Sequence, residues 1–270
     1  MDRAAVDAVF EAHWKKGWGS VSAGETMFIF AQIERFRPRS FIEIGMASGL
    51  SGGLIASQMA EHGGELFYTL DHDNTFFGDT TKENGFLIGE IFKGSQVKVE
   101  KRPFTTALDI ETLNQQFDMA FIDANHQHPW PLIDTLCLYP FMTGRKLAIH
   151  HDLRLFKNPG GALGIGPKYL FDQFPEAFRW RAAANKGNIF FVDLRIEREK
   201  LEALAIDCFS LPWTLRTPLS AAYIEKISGV LERHYSADVL AAFDANLKRF
   251  NFRRGDFMEG EIAAPARAPA

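Results

Sequence analysis

The sequence predicts an α/β protein with a Rossmann-like sheet, and three features of the chain support this prediction. Short apolar segments alternate with segments of helical periodicity through the middle of the chain. The first apolar segment, residues 40–44, is followed by glycines and then by helix-compatible spacing over 50–60, which is typical of a strand, a tight turn and a helix. Both ends of the chain are helical in pattern. With 270 residues, the chain can hold one such domain of about 200 residues and helical additions.

The predicted elements follow one another as an α/β domain requires. Helices are expected first, over 4–14 and 25–36. The candidate strands of the sheet are the apolar segments 40–44, 66–70, 97–99, 119–122 and 147–150. Because helix-length segments separate these strands, we expect parallel pairing with right-handed crossovers. Two later segments, 178–183 and 188–194, flank a turn-like Asn-Lys-Gly and predict an antiparallel hairpin that closes the sheet.

The chain divides into four predicted segments. They are an amino-terminal helical segment over 1–36, the sheet domain over 37–195, a carboxyl-terminal helical appendage over 196–258 and a disordered tail over 259–270. The appendage is predicted from helical patterns over 199–206, 221–232 and 237–250. The tail is rich in alanine and proline and offers no apolar face to bury.

Composition excludes several classes of function. The formal net charge is -4 and the sequence pI about 6.1, so the chain lacks the overall positive field that would hold nucleic acid. Its two cysteines, Cys137 and Cys208, form neither a disulfide framework nor a CxxC metal motif, which favours a cytoplasmic location. We expect no signal peptide and no membrane span.

The turn after the first strand is a candidate cofactor site. Glu43, Gly45 and Gly49 follow the order ExGxxxG, and Ser51 lies in the opening turn of the next helix. Glycines let the backbone approach a ligand closely, while a helix amino-terminus offers free amide donors. This arrangement predicts a nucleotide-type cofactor at the carboxyl end of the sheet. A purely structural strand-to-helix turn is the alternative.

A dinucleotide fingerprint is incomplete in this turn. It would need glycines at 45, 47 and 50, but the chain has Ala47 and Leu50 at the last two positions. The prediction of NAD is therefore weaker than that of another adenosine-containing cofactor.

Two further residues are candidates for contact with such a cofactor. Asp71 ends the second strand, where a carboxylate can accept hydrogen bonds from both ribose hydroxyls. Phe104 follows the third strand and could flank an adenine ring, although a core position is an equal alternative. An ordinary capping role is the alternative for Asp71, and it is the expected role of Asp73.

A longer motif resembles a known family. The segment FDMAFIDANHQHPWPLIDT, followed by KLAIHHDL, is similar to the metal-dependent small-molecule and sugar O-methyltransferases of class I. The macrolide-sugar O-methyltransferases are the nearest in pattern and catechol O-methyltransferase is more distant. The resemblance covers roughly residues 41–194, and its specific part is a strand-end acid, a histidine three residues later and a second strand that ends in His-Asp.

The resemblance implies a fold, a cofactor and a set of site residues. The fold is a class I methyltransferase sheet with one antiparallel strand, and the cofactor is S-adenosylmethionine. By the resemblance, Asp123 and Asp152 are metal ligands, His151 occupies a third ligand position and His126 is the general base. Together with the turn, the implied cofactor residues are Glu43, Gly45, Ala47, Gly49, Ser51, Asp71, Phe104 and Asp123. Position 47 also varies in catechol-type enzymes.

Physical chemistry supports the metal prediction independently. Asp123 and Asp152 both end adjacent predicted strands, so their carboxylates can converge on one hard cation. A bound cation would lower the pKa of an acceptor hydroxyl, and His126, with an ordinary pKa of about 6.5, could take the proton. Magnesium is the expected metal, but His151 stands where an oxygen ligand is usual, so manganese, iron and zinc are alternatives. His151 could instead hold a water or the acceptor. His128 and His150 are expected to be structural.

The glycine-rich stretch 153–168 follows the predicted metal-binding strand. A mobile lid over the acceptor is the functional interpretation, and a plain surface loop is the alternative. Its glycine spacing does not match the phosphate-loop pattern GxxxxGK[ST], which excludes a P-loop nucleoside triphosphatase.

The predicted function is methyl transfer from S-adenosylmethionine to a hydroxyl of a small molecule or sugar, with no nucleic acid or membrane partner. The helical ends offer surfaces for a homo-oligomer. An iron-dependent hydroxylase of the cephalosporin-hydroxylase type is one alternative, because two carboxylates and a histidine also form a facial-triad composition. A non-catalytic cofactor-binding protein is the other.

Overall fold

The structure is a computed structural model that describes residues 1–18, 21–183 and 186–251. The predicted disordered tail over 259–270 lies outside the described residues. Helices of the described part are α1 Arg3–His13, α2 Ala23–Phe36, α3 Leu50–Glu61, α4 Ile88–Ile91, α5 Trp130–Leu138, α6 Gly166–Gln173, α7 Arg198–Phe209, α8 Ala221–His234 and α9 Ala237–Phe250. Its strands are β1 Ser40–Ile44, β2 Leu66–Leu70, β3 Lys98–Arg102, β4 Phe117–Ile122, β5 Met142–His150, β6 Arg179–Arg181 and β7 Phe190–Asp193.

The strands form a seven-stranded sheet in the order β3-β2-β1-β4-β5-β7-β6. Neighbouring strands from β3 to β5 pair in parallel, whereas β7 runs antiparallel to both β5 and β6. One strand therefore runs against the others. The predicted Rossmann-like sheet with one antiparallel strand is confirmed, and so is the hairpin that closes it.

Strand boundaries differ from the prediction where polar residues enter the pattern. The first two strands have the predicted bounds, but β3 covers Lys98–Arg102 instead of 97–99. Its sequence, KVEKR, carries charges along an edge strand, which protects the open edge from pairing with another chain and hides the strand from an apolar pattern. The fourth and fifth strands begin earlier than expected, at Phe117 and Met142.

Helices cover both faces of the sheet, as alternating side chains in β1 show. Ile42 and Ile44 belong to a core that includes Phe209 of α7 and Phe243 of α9. Phe41, which precedes Ile42 in the strand, belongs to the opposite core, which includes Ile29 of α2. The carboxyl-terminal helices thus bury their apolar residues against the sheet. The domain boundaries predicted from the sequence stay predictions. In the described part of the chain, no helix is long and apolar enough to cross a membrane.

Parallel pairing brings the ends of β1, β4 and β5 to one edge of the sheet. Ile44, Ile122 and His150, the last residues of the three strands, lie in register with one another. The loops that follow these strands therefore lie side by side, and they carry most of the predicted site residues.

Candidate active site

The turn after β1 has a backbone that favours glycine. Gly45, Ala47 and Gly49 have φ values of 105°, 44° and 85°, all in the left-handed region. A Cβ on Gly45 would lie 2.2 Å from the carbonyl oxygen of Asp123, and one on Gly49 would lie 2.7 Å from Cγ1 of Ile88. The turn is therefore packed too closely for side chains at these two glycines.

Glu43 lies beneath this turn rather than in a cavity. Its side chain is fully buried and accepts hydrogen bonds of 2.6 Å from the hydroxyls of Ser51 and Thr69. Burial raises the pKa of Glu43 to about 8, the charges of Asp123 and Asp71 raise it further, and the two hydroxyl hydrogen bonds lower it. Glu43 was expected to contact the cofactor. Its side chain has no exposed surface and braces the turn from below, and its contact with the cofactor stays a prediction.

Asp71 connects the end of β2 to the same turn. Its Oδ2 accepts hydrogen bonds from the backbone N–H groups of Met46 (3.1 Å) and Ala47 (3.0 Å). Asp71 also lines the large cleft described below, where a ligand hydroxyl can reach it. Asp73 accepts hydrogen bonds from the N–H groups of Asn74 and Thr75, as expected of a local cap.

Phe104 is not brought to the site. Its side chain is 73% exposed, and it does not line the cleft. The loop after β3 instead presents Thr105, Thr106 and Ala107 to the cleft. The contact of Phe104 with an adenine ring stays a prediction. A left-handed backbone at Phe104, with φ 56°, accompanies the outward position of its ring.

A cleft of about 880 Å³ lies along the carboxyl edge of the sheet. Gly45, Ala47 and Asp71 line one part of it, and His126 lines another. A further part of the wall comes from the predicted lid, from the segment before α8 and from α8 itself, through Leu155, Gly160, Gly161, Leu163, Gly164, Arg216, Thr217, Pro218, Leu219 and Tyr223. A ligand that binds over the turn would therefore contact both the lid and the carboxyl-terminal appendage.

Two acids and two histidines cluster beside the turn. His126 Nε2 lies 3.1 Å from Asp123 Oδ1 and 3.4 Å from Asp152 Oδ2. His151 Nδ1 lies 3.2 Å from Asp123 Oδ1 and 3.5 Å from Asp152 Oδ1. All four line a second cavity of about 400 Å³, which shares Gly45, Ala47, Asp123 and His126 with the large cleft. The structure thus brings together the whole predicted metal and base set.

The donor atoms of this cluster fit a metal ion. Within the described ranges, Asp123, His126 and Asp152 each offer a ligand atom, and these atoms lie within 4.8 Å of one another. This group contains His126 in place of the predicted His151. Two carboxylates and an imidazole suit a divalent cation of the magnesium-to-iron series.

The electrostatics of the cluster favour a positive charge. Burial alone would raise the pKa of Asp123, but the charge of His151 and the hydrogen bond from His126 hold it well below its usual range. Burial would lower the pKa of His126, yet the hydrogen bond and charge of Asp123 raise it. The pKa of His151 is raised well above its usual value for the same reason. The acids therefore hold cationic partners even without a metal.

The other two histidines of this region have structural positions. His128 is fully buried, and burial lowers its pKa to about 4. His150 is also buried, stacks on Phe190 with ring centroids 5.1 Å apart, and has its pKa lowered to about 3 by burial. Neither lines the cleft, in agreement with the structural role expected from the sequence.

Sequence reasoning missed two acids at the site. Asp134 of α5 is 5% exposed and lines the large cleft, and burial raises its pKa to about 7. Glu25 of α2 is 1% exposed, and its Oε1 lies 3.2 Å from His151 Nε2. Asp134 stands inside the quoted family motif, so its carboxylate could have been noticed there. No signal marked Glu25, because only the packing of α2 brings it to β5.

Comparisons with known proteins agree with this geometry. Residues 42–153 match a family model described as a methyltransferase domain. The O-methyltransferase TomG from Streptomyces achromogenes, in complex with S-adenosylmethionine, has a similar structure, with a TM-score of 0.50 and 17% identity over 72% of this chain and 91% of that one. An S-adenosylhomocysteine-bound methyltransferase from Podospora anserina has a TM-score of 0.50 and 15% identity over 72% of this chain and 88% of that one. A search of curated proteins gave no match.

At these identities, the structural likeness concerns the fold. Residues 42–153 match a methyltransferase domain within a sheet of the class I methyltransferase type, and the family model confirms the prediction of a methyltransferase.

The buried carboxyl of Glu43 predicts a pH dependence of stability. Its folded-state pKa of about 8 lies above the ordinary value of about 4.3, so the stability that the bound proton contributes is fully present below about pH 4.3 and is lost as the pH rises to about 8. Relative to Glu43→Gln, which stays neutral, the wild type should lose about 1.4 kcal/mol of unfolding free energy per pH unit in this window. Denaturant unfolding at several pH values measures the difference. Glu176→Gln, at an exposed position, is the control. If it changed the pH dependence of the unfolding free energy as much as Glu43→Gln does, the effect could not be assigned to the buried Glu43.

Proposed function

We propose that the protein is an S-adenosylmethionine-dependent O-methyltransferase that transfers a methyl group to a hydroxyl of a small molecule or sugar with the help of a divalent metal. The observation that carries this proposal is the cluster of Asp123, His126 and Asp152, which opens on the same cleft as the glycine turn. The matched methyltransferase domain supports it. So does TomG, an O-methyltransferase whose structure contains S-adenosylmethionine.

The turn and Asp71 would hold the cofactor. S-adenosylmethionine, when bound, supplies an electrophilic methyl group on its sulfonium. Gly45 and Gly49 leave room for close approach of a ligand to the backbone, and Asp71 faces the cleft with a carboxylate already oriented by the turn. These residues would hold the cofactor beside the acid and histidine cluster, and orientation is the main part of catalysis in such a transfer.

Asp123 and Asp152 would hold the metal, with an imidazole as a third donor. A bound divalent cation lowers the pKa of an acceptor hydroxyl and orients it. Magnesium is the proposed ion because two carboxylates supply oxygen ligands, and manganese and iron are alternatives because imidazole suits them better.

The two histidines differ in exposure to the cleft, and we infer different roles for them from this difference. His126 is 21% exposed and lines both cavities, whereas His151 is 7% exposed and lines only the smaller one. His126 can therefore take the proton from an acceptor hydroxyl, while His151 remains a candidate metal ligand.

An iron-dependent hydroxylase is the second candidate, because two carboxylates and one histidine also compose a facial triad. Oxoglutarate- and oxygen-dependent turnover, without methyl transfer, would favour it.

The first prediction for this function concerns Asp71. Asp71→Ala should weaken S-adenosylhomocysteine binding by about 1.5 to 3 kcal/mol, because it removes charge-assisted hydrogen bonds. Calorimetric titration measures the loss. Asp73→Ala is the matched control, since Asp73 lines the same cleft but serves a local cap. Unchanged affinity in Asp71→Ala would mean that the cofactor lies elsewhere.

A second prediction concerns the metal. Chelation should abolish turnover and leave the affinity for S-adenosylhomocysteine nearly unchanged, because the acids orient the acceptor rather than the cofactor. Re-addition of magnesium, manganese or iron to the chelated protein identifies the active ion. Full activity in the presence of chelator would remove the metal from the mechanism.

A third prediction tests His126 as the base. His126→Ala should lower the single-turnover rate of methyl transfer by about 100- to 10,000-fold with cofactor affinity preserved. If His126 only supports its loop, the variant should lose about 1 kcal/mol of stability and keep its rate. His72→Ala, at an exposed histidine of the same cleft, is the control. A rate within about threefold of wild type would show that another group takes the proton.

A further inference from the structure

Glu25 connects the amino-terminal helix α2 to the proposed metal site. It is 1% exposed and lies outside residues 42–153, the segment matched by the methyltransferase family model. Its Oε2 accepts hydrogen bonds of 2.7 Å from both the backbone N–H and the hydroxyl of Ser22, which complete a capping box at the start of α2. Its Oε1 lies 3.2 Å from Nε2 of His151. The two oxygens of one carboxylate thus serve the helix cap and the histidine separately.

In a neutral, metal-bound His151 ring, this contact determines which nitrogen keeps its hydrogen. A carboxylate can only accept hydrogen bonds, and Oε2 of Glu25 accepts from both donors of Ser22 while Oε1 faces Nε2 of His151 at 3.2 Å. Nε2 of His151 must therefore be the donor. Nδ1, on the other side of the ring, faces Asp123 Oδ1 at 3.2 Å and Asp152 Oδ1 at 3.5 Å.

Asn188 supports the same orientation. Its Nδ2 lies 3.4 Å from His151 Nε2 and 3.0 Å from Asp152 Oδ1. Two N–H donors cannot hydrogen-bond to each other, so the amide donates to Asp152 and only packs against the ring. Asp152 and His151 are thereby held in a fixed relation, with the ring nitrogen Nδ1 directed at both acids.

We propose that Glu25 is a positioning residue that holds the Nε2–H of His151 and thereby makes Nδ1 a nitrogen ligand of the metal bound by Asp123 and Asp152. The inference rests on the proposed metal-assisted function. A carboxylate behind a metal-bound histidine fixes the ring and increases its basicity. The amino-terminal helix would then be a functional part of the metal site.

The experiment compares three variants of the full chain. Glu25→Ala removes the carboxylate, Glu25→Gln keeps an oxygen that can accept from Nε2–H, and Ser22→Ala disrupts the same capping box without touching His151. Circular dichroism verifies folding, and calorimetry measures Mn²⁺ binding. The nitrogen-15 NMR spectrum of the Zn²⁺-bound protein reports the tautomer of His151. The signals of His151 are identified as those that disappear in His151→Gln.

We expect the Mn²⁺ dissociation constant to rise about 10- to 100-fold in Glu25→Ala, less in Glu25→Gln and under about threefold in Ser22→Ala. The wild type and Ser22→Ala should show Nε2 protonated and Nδ1 bound to Zn²⁺. A purely structural role would instead make Glu25→Ala and Ser22→Ala equal in metal affinity, which would overturn the proposal. Zn²⁺ bound through Nε2 would overturn it as well.

Two further outcomes are also decisive. If Glu25→Ala does not fold, two other measurements decide. The proposal requires Nε2 of His151 to be protonated in the wild type, and Glu25→Gln to bind Mn²⁺ more weakly than Ser22→Ala does. If the wild type binds neither Mn²⁺ nor Zn²⁺, the metal-assisted function and this inference fail together. If the wild type binds metal and Glu25→Ala and Ser22→Ala lose the same metal affinity, only the role of Glu25 fails and the metal-assisted function stands.

Discussion

The close contact between Gly45 and the carbonyl oxygen of Asp123 is the constraint on which the site depends. A Cβ on Gly45 would lie 2.2 Å from that oxygen, so the turn after β1 and the loop after β4 can pack together only if residue 45 has no side chain. The N–H of Asp123 in turn donates to the carbonyl of Ile44 at 2.9 Å. Through these contacts, the region that would hold the cofactor and Asp123, one of the acids that would hold a metal, become neighbours, although the region follows β1 and Asp123 follows β4.

The acids and histidines beside this contact are charged groups that depend on one another. Asp123 and His151 are largely buried, and a buried charge that loses its partner costs about 3 to 5 kcal/mol. Each group therefore depends on the others. The acids hold protons on the histidines in the absence of a cation, which is the reason that the pKa values of His126 and His151 are raised. A divalent cation would supply the same positive charge, so metal binding and proton release are linked.

What the sequence predicted follows from topology, and what it missed follows from packing. Parallel strands place their carboxyl ends together, so the loops that carry Asp123 and Asp152 become neighbours. By contrast, spacing does not determine the direction of a loop side chain, so Phe104 was expected near an adenine ring but is exposed. Nor does it reveal that a strand-end acid such as Glu43 points inward. The contact of Glu25 with His151 depends on how α2 packs against the sheet, which no local pattern records.

The acceptor side of the cleft is built from three segments that are distant in sequence, and they are connected at Thr214. Its hydroxyl donates to the carbonyl of Leu163 in the lid at 2.6 Å and accepts from the N–H of His128 at 2.8 Å. The N–H of Gly166, where α6 begins, donates to the carbonyl of His126 at 2.9 Å. The lid, the appendage and the loop that carries the proposed base are thus hydrogen-bonded to one another. Under the proposed function, an acceptor that displaced the predicted lid would act on the loop of His126 through these hydrogen bonds.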